Sequence, residues 1–278
     1  MIRKKRNLTL QPILSYLFII FLILFALIPI VWVIMTSLKS RSDIFGVVLR
    51  FKPQFDSYKN IFSSNGTTIL RGIINSIKVA GINSVIVIVF GSLAGYSLSR
   101  LRFKGRKIVL YSVLASRLMP PVVVVLPIFL VVRKLGLIDS ISVISMLHAT
   151  FNLPICIWLL KSFFDTIPIQ LEEAAAIDGA SRFVTAIKIV FPLARAGIAT
   201  TALFAFVFSW NEFLFSLIFT QKLAKTAPIV LANATYGEAQ IFWADMAALA
   251  TIIMIPAIIL AFIGQKYLVK GLTIGASK

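Results

Sequence analysis

The sequence predicts an all-α, polytopic membrane protein with six transmembrane helices. Three observations predict it. Of 278 residues, 59% are hydrophobic and the mean hydropathy is +0.96; a soluble domain of this length would expose too much apolar surface to water. The apolar runs are near or above the ~20 residues that a spanning helix needs. The basic residues, which bring the net charge to +18, stand at the ends of those runs and in short loops, where they set orientation and meet anionic headgroups. No basic face with interleaved aromatics occurs outside the runs, so the lipid bilayer is an expected partner and nucleic acid is not.

The chain reads as an N-terminal tail over 1–12 and one integral membrane domain over 13–278. Arg3, Lys4, Lys5 and Arg6 precede a first span from Ile13 to Met35, too long for a secretory signal and therefore uncleaved; Pro29 can kink it. Residues 37–73 read as an external loop with a short amphipathic segment, its turn signals Lys52-Pro53, Asp56-Ser57 and Ser63-Ser64-Asn65-Gly66. The second span covers Ile74 to Leu98. Its Gly91-Ser92-Leu93-Ala94-Gly95 stretch is a small-residue face for close helix packing, and Asn75, Asn83 and Ser84 suit interhelical hydrogen bonds, with pathway lining as the alternative. Five basic residues crowd positions 100–107. The third span starts near Ile108 and holds Arg117, an intramembrane charge that marks either a functional site or a snorkelling or paired side chain. After Met119-Pro120-Pro121 it either continues to Val132 or re-enters as a broken helix. The fourth span, Ile141 to Leu160, contains His148, Asn152, Pro154 and Cys156, with His148 read as a satisfied packing residue rather than a proton carrier. The fifth runs from Ile198 to Phe219 and carries Ser209-Trp210-Asn211-Glu212, where Glu212 faces a cavity or pairs with a neighbouring subunit. Residues 220–244 form an external loop with Pro228 and Gly237 as breakers. The sixth span is Met246 to Leu268, with a short tail to Lys278.

Between the fourth and fifth spans, residues 161–197 look like a folded unit rather than a loop. Asp165 or Thr166 can cap a helix start and Pro168 suits its first turn. Ala174, Ala175, Ala176 and Ala180 give a small face that lets another surface approach. Gly179 fits the left-handed position that ends a helix. Ser181 can cap a second helix running to Phe191, which Pro192 interrupts. Glu172, Glu173 and Asp178 can pair with basic residues of a docked partner, or simply form a solvated acidic face. With six spans both termini share a side. The termini, the 100–107 loop and residues 161–195 hold 16 Lys and Arg against 10 in the opposite loops, and the short-loop contrast is 5 against 2; the rich side, and the helical hairpin with it, is expected to be cytoplasmic.

The chain has one cysteine, Cys156, and one histidine, His148, so neither an internal disulfide nor a histidine-rich metal site is expected. It contains no G-x-x-x-x-G-K-[ST], G-x-G-x-x-G or H-E-x-x-H motif. ATP hydrolysis by the usual phosphate loop is therefore excluded, and any ATP-driven process needs a separate ATPase.

The pattern Glu173-Ala174-Ala175, three residues, Gly179, nine residues, Ile189 and then Pro192 resembles the cytoplasmic loop of ABC-importer permeases. Phe191 stands where that family usually has Leu. Trp210-Asn211-Glu212-Phe213 and the tail Gly271-Leu272-Thr273-Ile274-Gly275-Ala276 are similar to the second permease subunit of maltose-type sugar importers, and the resemblance extends from about Asn75 to the end. It implies a non-enzymatic, pore-forming subunit of the bacterial cytoplasmic (inner) membrane, working with a homologous second permease, two copies of a cytoplasmic ATPase that bind the ATP and Mg, and an extracytoplasmic solute-binding protein. The chain itself carries no cofactor. The hairpin would be the coupling element, with Glu172, Glu173, Ala174, Ala175, Asp178, Gly179, Ala180 and Pro192 docking on the ATPase. A sugar, oligosaccharide or polyol needs hydroxyl-pairing groups and aromatic platforms, for which Asn83, Ser84, Asn152, Ser209, Trp210, Asn211 and Glu212 are the candidates. The alternative is an ion-coupled secondary transporter subunit, which would usually show inverted repeats; no clear repeat is present. A membrane enzyme would need a clustered catalytic constellation, which the spans lack.

Overall fold

A computed structural model describes residues 10–40, 42–44, 51–235 and 243–275. Among these residues every regular element is helical. Four helices are long and apolar enough to cross a membrane, or up to six if each of two bent pairs is one span. The described residues divide into two compact units. The first comprises those up to Gly66 and those from Ala234 to Ile252, and the second comprises the rest.

In the first unit α1 (Leu10–Ser37) exposes Phe18, Phe21, Phe25 and most of its other large apolar side chains. A helix apolar all round is stable in lipid and not in water. Below its last turn the chain is tied by polar contacts. The Ser37 and Tyr58 hydroxyls share a 2.8 Å hydrogen bond. Lys39 is 4% exposed, with its ammonium 5.1 Å from the Trp32 ring centroid and 5.6 Å from that of Phe51. Two aromatic faces are what make a buried ammonium tolerable there.

α2 (Asp56–Arg100) is a single 45-residue helix, which corrects the reading of 37–73 as loop. No proline follows Pro53 before Arg100, and Ser63–Gly66 weakens a helix by only about 1 kcal/mol at its glycine, so the helix runs through that turn signal. At 1.5 Å per residue it is roughly 65–70 Å long, well beyond a ~30 Å hydrocarbon core.

The third span is broken. α3 (Arg106–Ser116) and α4 (Pro121–Lys134) meet at 85°. The residue before a proline is pushed out of the helical region, and two consecutive prolines enforce this: Pro120 is extended at φ −61°, ψ 127°, while Pro121 starts α4. α5 (Ile141–Asp165) contributes ten buried residues and is the spine of the second unit. After the hairpin described below, α9 (Arg195–Trp210) packs along α5. The fifth span is then interrupted at Asn211–Phe213 before α10 (Leu214–Phe219), against the expectation of one helix from Ile198 to Phe219. α11 (Ala227–Thr235) lies within the expected external loop, with Pro228 in its first turn, where proline is compatible with a helix. Gly237 and Ala276 lie outside the described residues. α12 (Trp243–Gly275) extends the expected sixth span at both ends.

Small residues set the helix spacing in the second unit. A Cβ at Gly95 would meet the Lys161 amide nitrogen at 3.1 Å and the Ile157 carbonyl at 3.2 Å, so α2 and α5 touch backbone to backbone there. At the opposite end of α5, the segment after α10 is fixed by side chains. Asp139, at φ 65°, accepts four backbone N–H bonds, from Gln221 and Lys222 at 3.0 Å, Leu223 at 2.8 Å and Ala224 at 2.9 Å. Asn75 donates to the Leu223 and Lys225 carbonyls, and Ser76 accepts from the Ala227 amide.

Candidate functional site

Residues 166–194 form the expected hairpin, with shifted boundaries. Asp165 ends α5 and Thr166 caps its C-terminus, so neither starts the hairpin as anticipated. Pro168 precedes α6 (Gln170–Ile177). The helix ends as a glycine turn should: Gly179 has φ 85°, its amide donates to the Ala176 carbonyl at 3.1 Å, and the Ala180 amide donates to the Ala175 carbonyl at 2.9 Å. Ser181 then caps α7 (Arg182–Thr185) by accepting from the Val184 amide. A π-helical turn, Ala186–Val190, leads into α8 (Phe191–Leu193). Pro192 does not end the run. The break falls at Ala194, where the chain bends by 78° into α9.

The underside of the hairpin is packed and its outer face is bare. Val190 and Ala194 are buried against Leu160 and Phe164, with Tyr96 and Phe191 closing the cluster. Phe164 and Phe191 stack at 5.5 Å, and Tyr96 meets both rings edge-on. An aromatic residue thus has a specific place where the resembling family usually has Leu. Glu172 and Ala175 point inward, which removes them from the expected docking face. Glu173, Ala174, Asp178, Gly179 and Pro192 are exposed, and Ala180 is half-buried. Ile177 is 88% exposed and Phe183 is 66% exposed. These two large apolar residues flank the glycine turn and are more distinctive than the alanines. Their apolar character beside polar neighbours was the available signal.

Glu172 has an internal role. Its carboxylate accepts from Arg100 Nε and from the Tyr96 hydroxyl at 2.8 Å, while Arg100 Nη2 donates to the Ile167 carbonyl at 2.8 Å. Nearby, Ser99 donates to Asp165 at 2.6 Å. The basic residue at position 100 is therefore a joint between α2 and the hairpin as well as a topology signal. Tyr96 and Arg100 lie four apart on one helix face, but nothing in sequence says which distant acid they meet.

The candidate pathway residues converge only in part. A cavity of about 300 Å³ is lined by Arg117, His148, Asn152, Ser209 and Glu212, with Pro121, Phe151, Phe208 and Phe215 as its apolar walls. Asn83 is fully buried behind it. It donates to the Ala205 carbonyl at 2.9 Å and accepts from Asn152 at 3.1 Å. Ser84 donates within its helix to Ala80. Trp210 is buried and stacked on Phe206, and Asn211 donates to the Val207 carbonyl. None of these four lines the cavity. Glu212 interrupts the fifth span because its carboxylate accepts from the Phe215 and Ser216 amides, capping α10, while His148 Nε2 lies 2.9 Å away. It thus has a partner inside this chain. His148 Nδ1 and the Ser209 hydroxyl share a 2.7 Å bond, so the histidine is satisfied on both sides. Arg117 donates to the Phe151 carbonyl and stacks 4.7 Å above the Phe208 ring.

Residues 87–274 match the family described as "Binding-protein-dependent transport system inner membrane component". The chain is 37% identical over 258 residues to the trehalose transport system permease protein SugB of Mycobacterium tuberculosis, covering 91% of this chain and 93% of that protein. It is 33% identical over 275 residues to the trehalose/maltose transport system permease protein MalG of Thermococcus litoralis, covering 98% and 99%. Among solved structures, a chain of a bacterial ABC transporter for import of the acidic polysaccharide alginate superposes with a TM-score of 0.75 at 23% identity, over 96% of this chain and 99% of that one. A hairpin with a bare outer face, broken spans around a polar cavity and sequence identity along nearly the whole length agree: the chain belongs to the family of inner membrane components of binding-protein-dependent transport systems, as a membrane-spanning permease.

Proposed function

We propose that this chain is one of two permease subunits of an ATP-driven importer for a sugar, oligosaccharide or polyol. The observation that carries the reading is the hairpin: a rigid unit with apolar Ile177 and Phe183 uncovered on either side of a positive-φ glycine. Exposed apolar residues rimmed by charge mark an interaction surface, and Glu173 and Asp178 supply the rim. The occupant is the ATPase subunit, in two copies per importer, which binds ATP and Mg where this chain has no phosphate loop. The hairpin and both termini face the cytoplasm, in line with the distribution of Lys and Arg. The segment locked by Asp139 and Asn75 then faces outward, toward a solute-binding protein. Sugar cargo is supported by the relatives, which are named for trehalose and maltose transport.

Gly179→Leu tests the hairpin. A side chain at positive φ costs roughly 1–2 kcal/mol, and a Cβ at Gly179 meets nothing within 4 Å. The substitution therefore leaves internal packing intact and puts bulk on the outer face. Uptake of labelled sugar and retention of the ATPase on the tagged permease should both be lost, while Gly179→Asn, which tolerates this backbone, should keep most of each. Near-normal uptake and retention in Gly179→Leu would show that the hairpin does not couple to an ATPase.

A further inference from the structure

Arg117 stands at the 85° bend between α3 and α4 and lines the cavity. Its guanidinium has five N–H donors, and among the described residues only the Phe151 carbonyl accepts from it. Among the described residues no carboxylate pairs with it. Glu212, the acid on the same cavity, is already engaged by His148 and by the Phe215 and Ser216 amides. Asn152 is complementary. Its amide nitrogen donates to Asn83 and, at 3.5 Å, to the Ala205 carbonyl, whereas its Oδ1 accepts from no described residue and is not sealed from the cavity. The remaining surface is aromatic: Phe208 beneath the guanidinium, and Phe151 and Phe215 with ring centroids 4.7 Å apart. A forked donor, a single acceptor and apolar ring faces match a pyranose, which offers paired oxygens on its edge and C–H groups on its faces. The volume lies at the small end of ligand sites, enough for one ring and not for an oligosaccharide. We propose that this cavity is a subsite within this subunit for one pyranosyl unit of the cargo, with Arg117 donating to a pair of sugar oxygens and Asn152 accepting a hydroxyl. The proposal rests on the sugar-import reading above.

The test uses the complete importer with its partner subunits and binding protein in proteoliposomes, with labelled trehalose, maltose and an alginate disaccharide as probes. Arg117→Lys keeps the charge and loses the fork. It should lower the sugar moved per ATP hydrolysed about tenfold, as expected for losing a bidentate contact. Subunit assembly and binding-protein-stimulated ATP hydrolysis should stay within about twofold of wild type. Pro120→Ala, which loosens the bend without touching the lining of the cavity, should keep a much higher transport ratio than Arg117→Lys. A wild-type transport ratio in Arg117→Lys would overturn the subsite. So would a loss that follows assembly and is copied by Pro120→Ala, since Arg117 would then only tie the bend to its neighbours. If the wild type carries none of the three probes and its binding protein retains no member of a panel of sugars, oligosaccharides and polyols, the sugar reading itself falls.

Discussion

Asp139 shows how one side chain organises a segment far away in sequence. Burial raises its pKa, but the four N–H donors from Gln221, Leu223, Ala224 and Lys222 outweigh it and hold the value at about 2, against an ordinary 3.8. A depressed carboxylate contributes stability that is fully present above its unfolded value and is lost as pH falls through the folded one. The thermal midpoint of the purified permease should therefore respond to this group only below about pH 5, with the loss complete near pH 1, below both values. Asp139→Ala should remove that pH response and lower stability by about 2 kcal/mol at neutral pH, because four amides lose a charged acceptor. A mutant with the wild-type midpoint at neutral pH would show that the carboxylate does not hold residues 221–224. Asp139→Asn tests the charge separately: it tolerates φ 65° and should fall between the two.

At the scale of elements, the long apolar runs were legible because lipid solvation demands them, and the glycine-terminated hairpin was legible from local chemistry around Gly179 and Ser181. The two spans that break were less so. The Pro120-Pro121 pair marked the place of one and left open whether the span continued or broke, while the other breaks at Glu212, whose cap on α10 also engages His148, 64 positions away and joined to it only by the fold. The hairpin's inward joint was hidden for the same reason. Arg100 and Glu172 are 10% and 12% exposed at their side chains, so removing one leaves the other buried and unpaired, at a cost of about 3 kcal/mol or more. Arg100→Met should reduce uptake and loosen the hairpin, seen as faster proteolysis between α6 and α7. Combining it with Glu172→Leu, which leaves no orphan charge, should recover part of the stability. A loss in the double variant equal to the sum of the two single-variant losses would show that the pair is not coupled. Gly95→Val tests the adjoining helix contact, where a larger side chain meets backbone that cannot rotate away; it should lower the thermal midpoint more than Gly81→Val, a helical glycine with open space around its Cβ position.

Over the whole molecule, charge asymmetry and the bare hairpin make a joint prediction about sidedness. The net charge of +18 is spread unevenly along the chain, and basic residues in short loops stay on the cytoplasmic side during insertion. Labelling reads this directly. Cys156 is fully buried, and Cys156→Ser gives a background without thiols. Ser63 is exposed in the early turns of α2, so Ser63→Cys should react with an impermeant maleimide in intact cells with permeable outer layers. On the hairpin, Ser181 is a poor place for a probe because its hydroxyl caps α7, and losing such a cap costs about 1 kcal/mol. Ile177, 88% exposed and making no such bond, is the better site. Ile177→Cys should stay unlabelled in intact cells and react after lysis. When the ATPase subunit is co-expressed, its rate after lysis should fall, because the thiol then lies beneath the docked partner. Labelling of Ile177→Cys from outside would reverse the orientation and remove the hairpin from the side where ATP is available. Correct sidedness with no protection by the ATPase would keep the topology and reject the outer face of α6 as the docking surface.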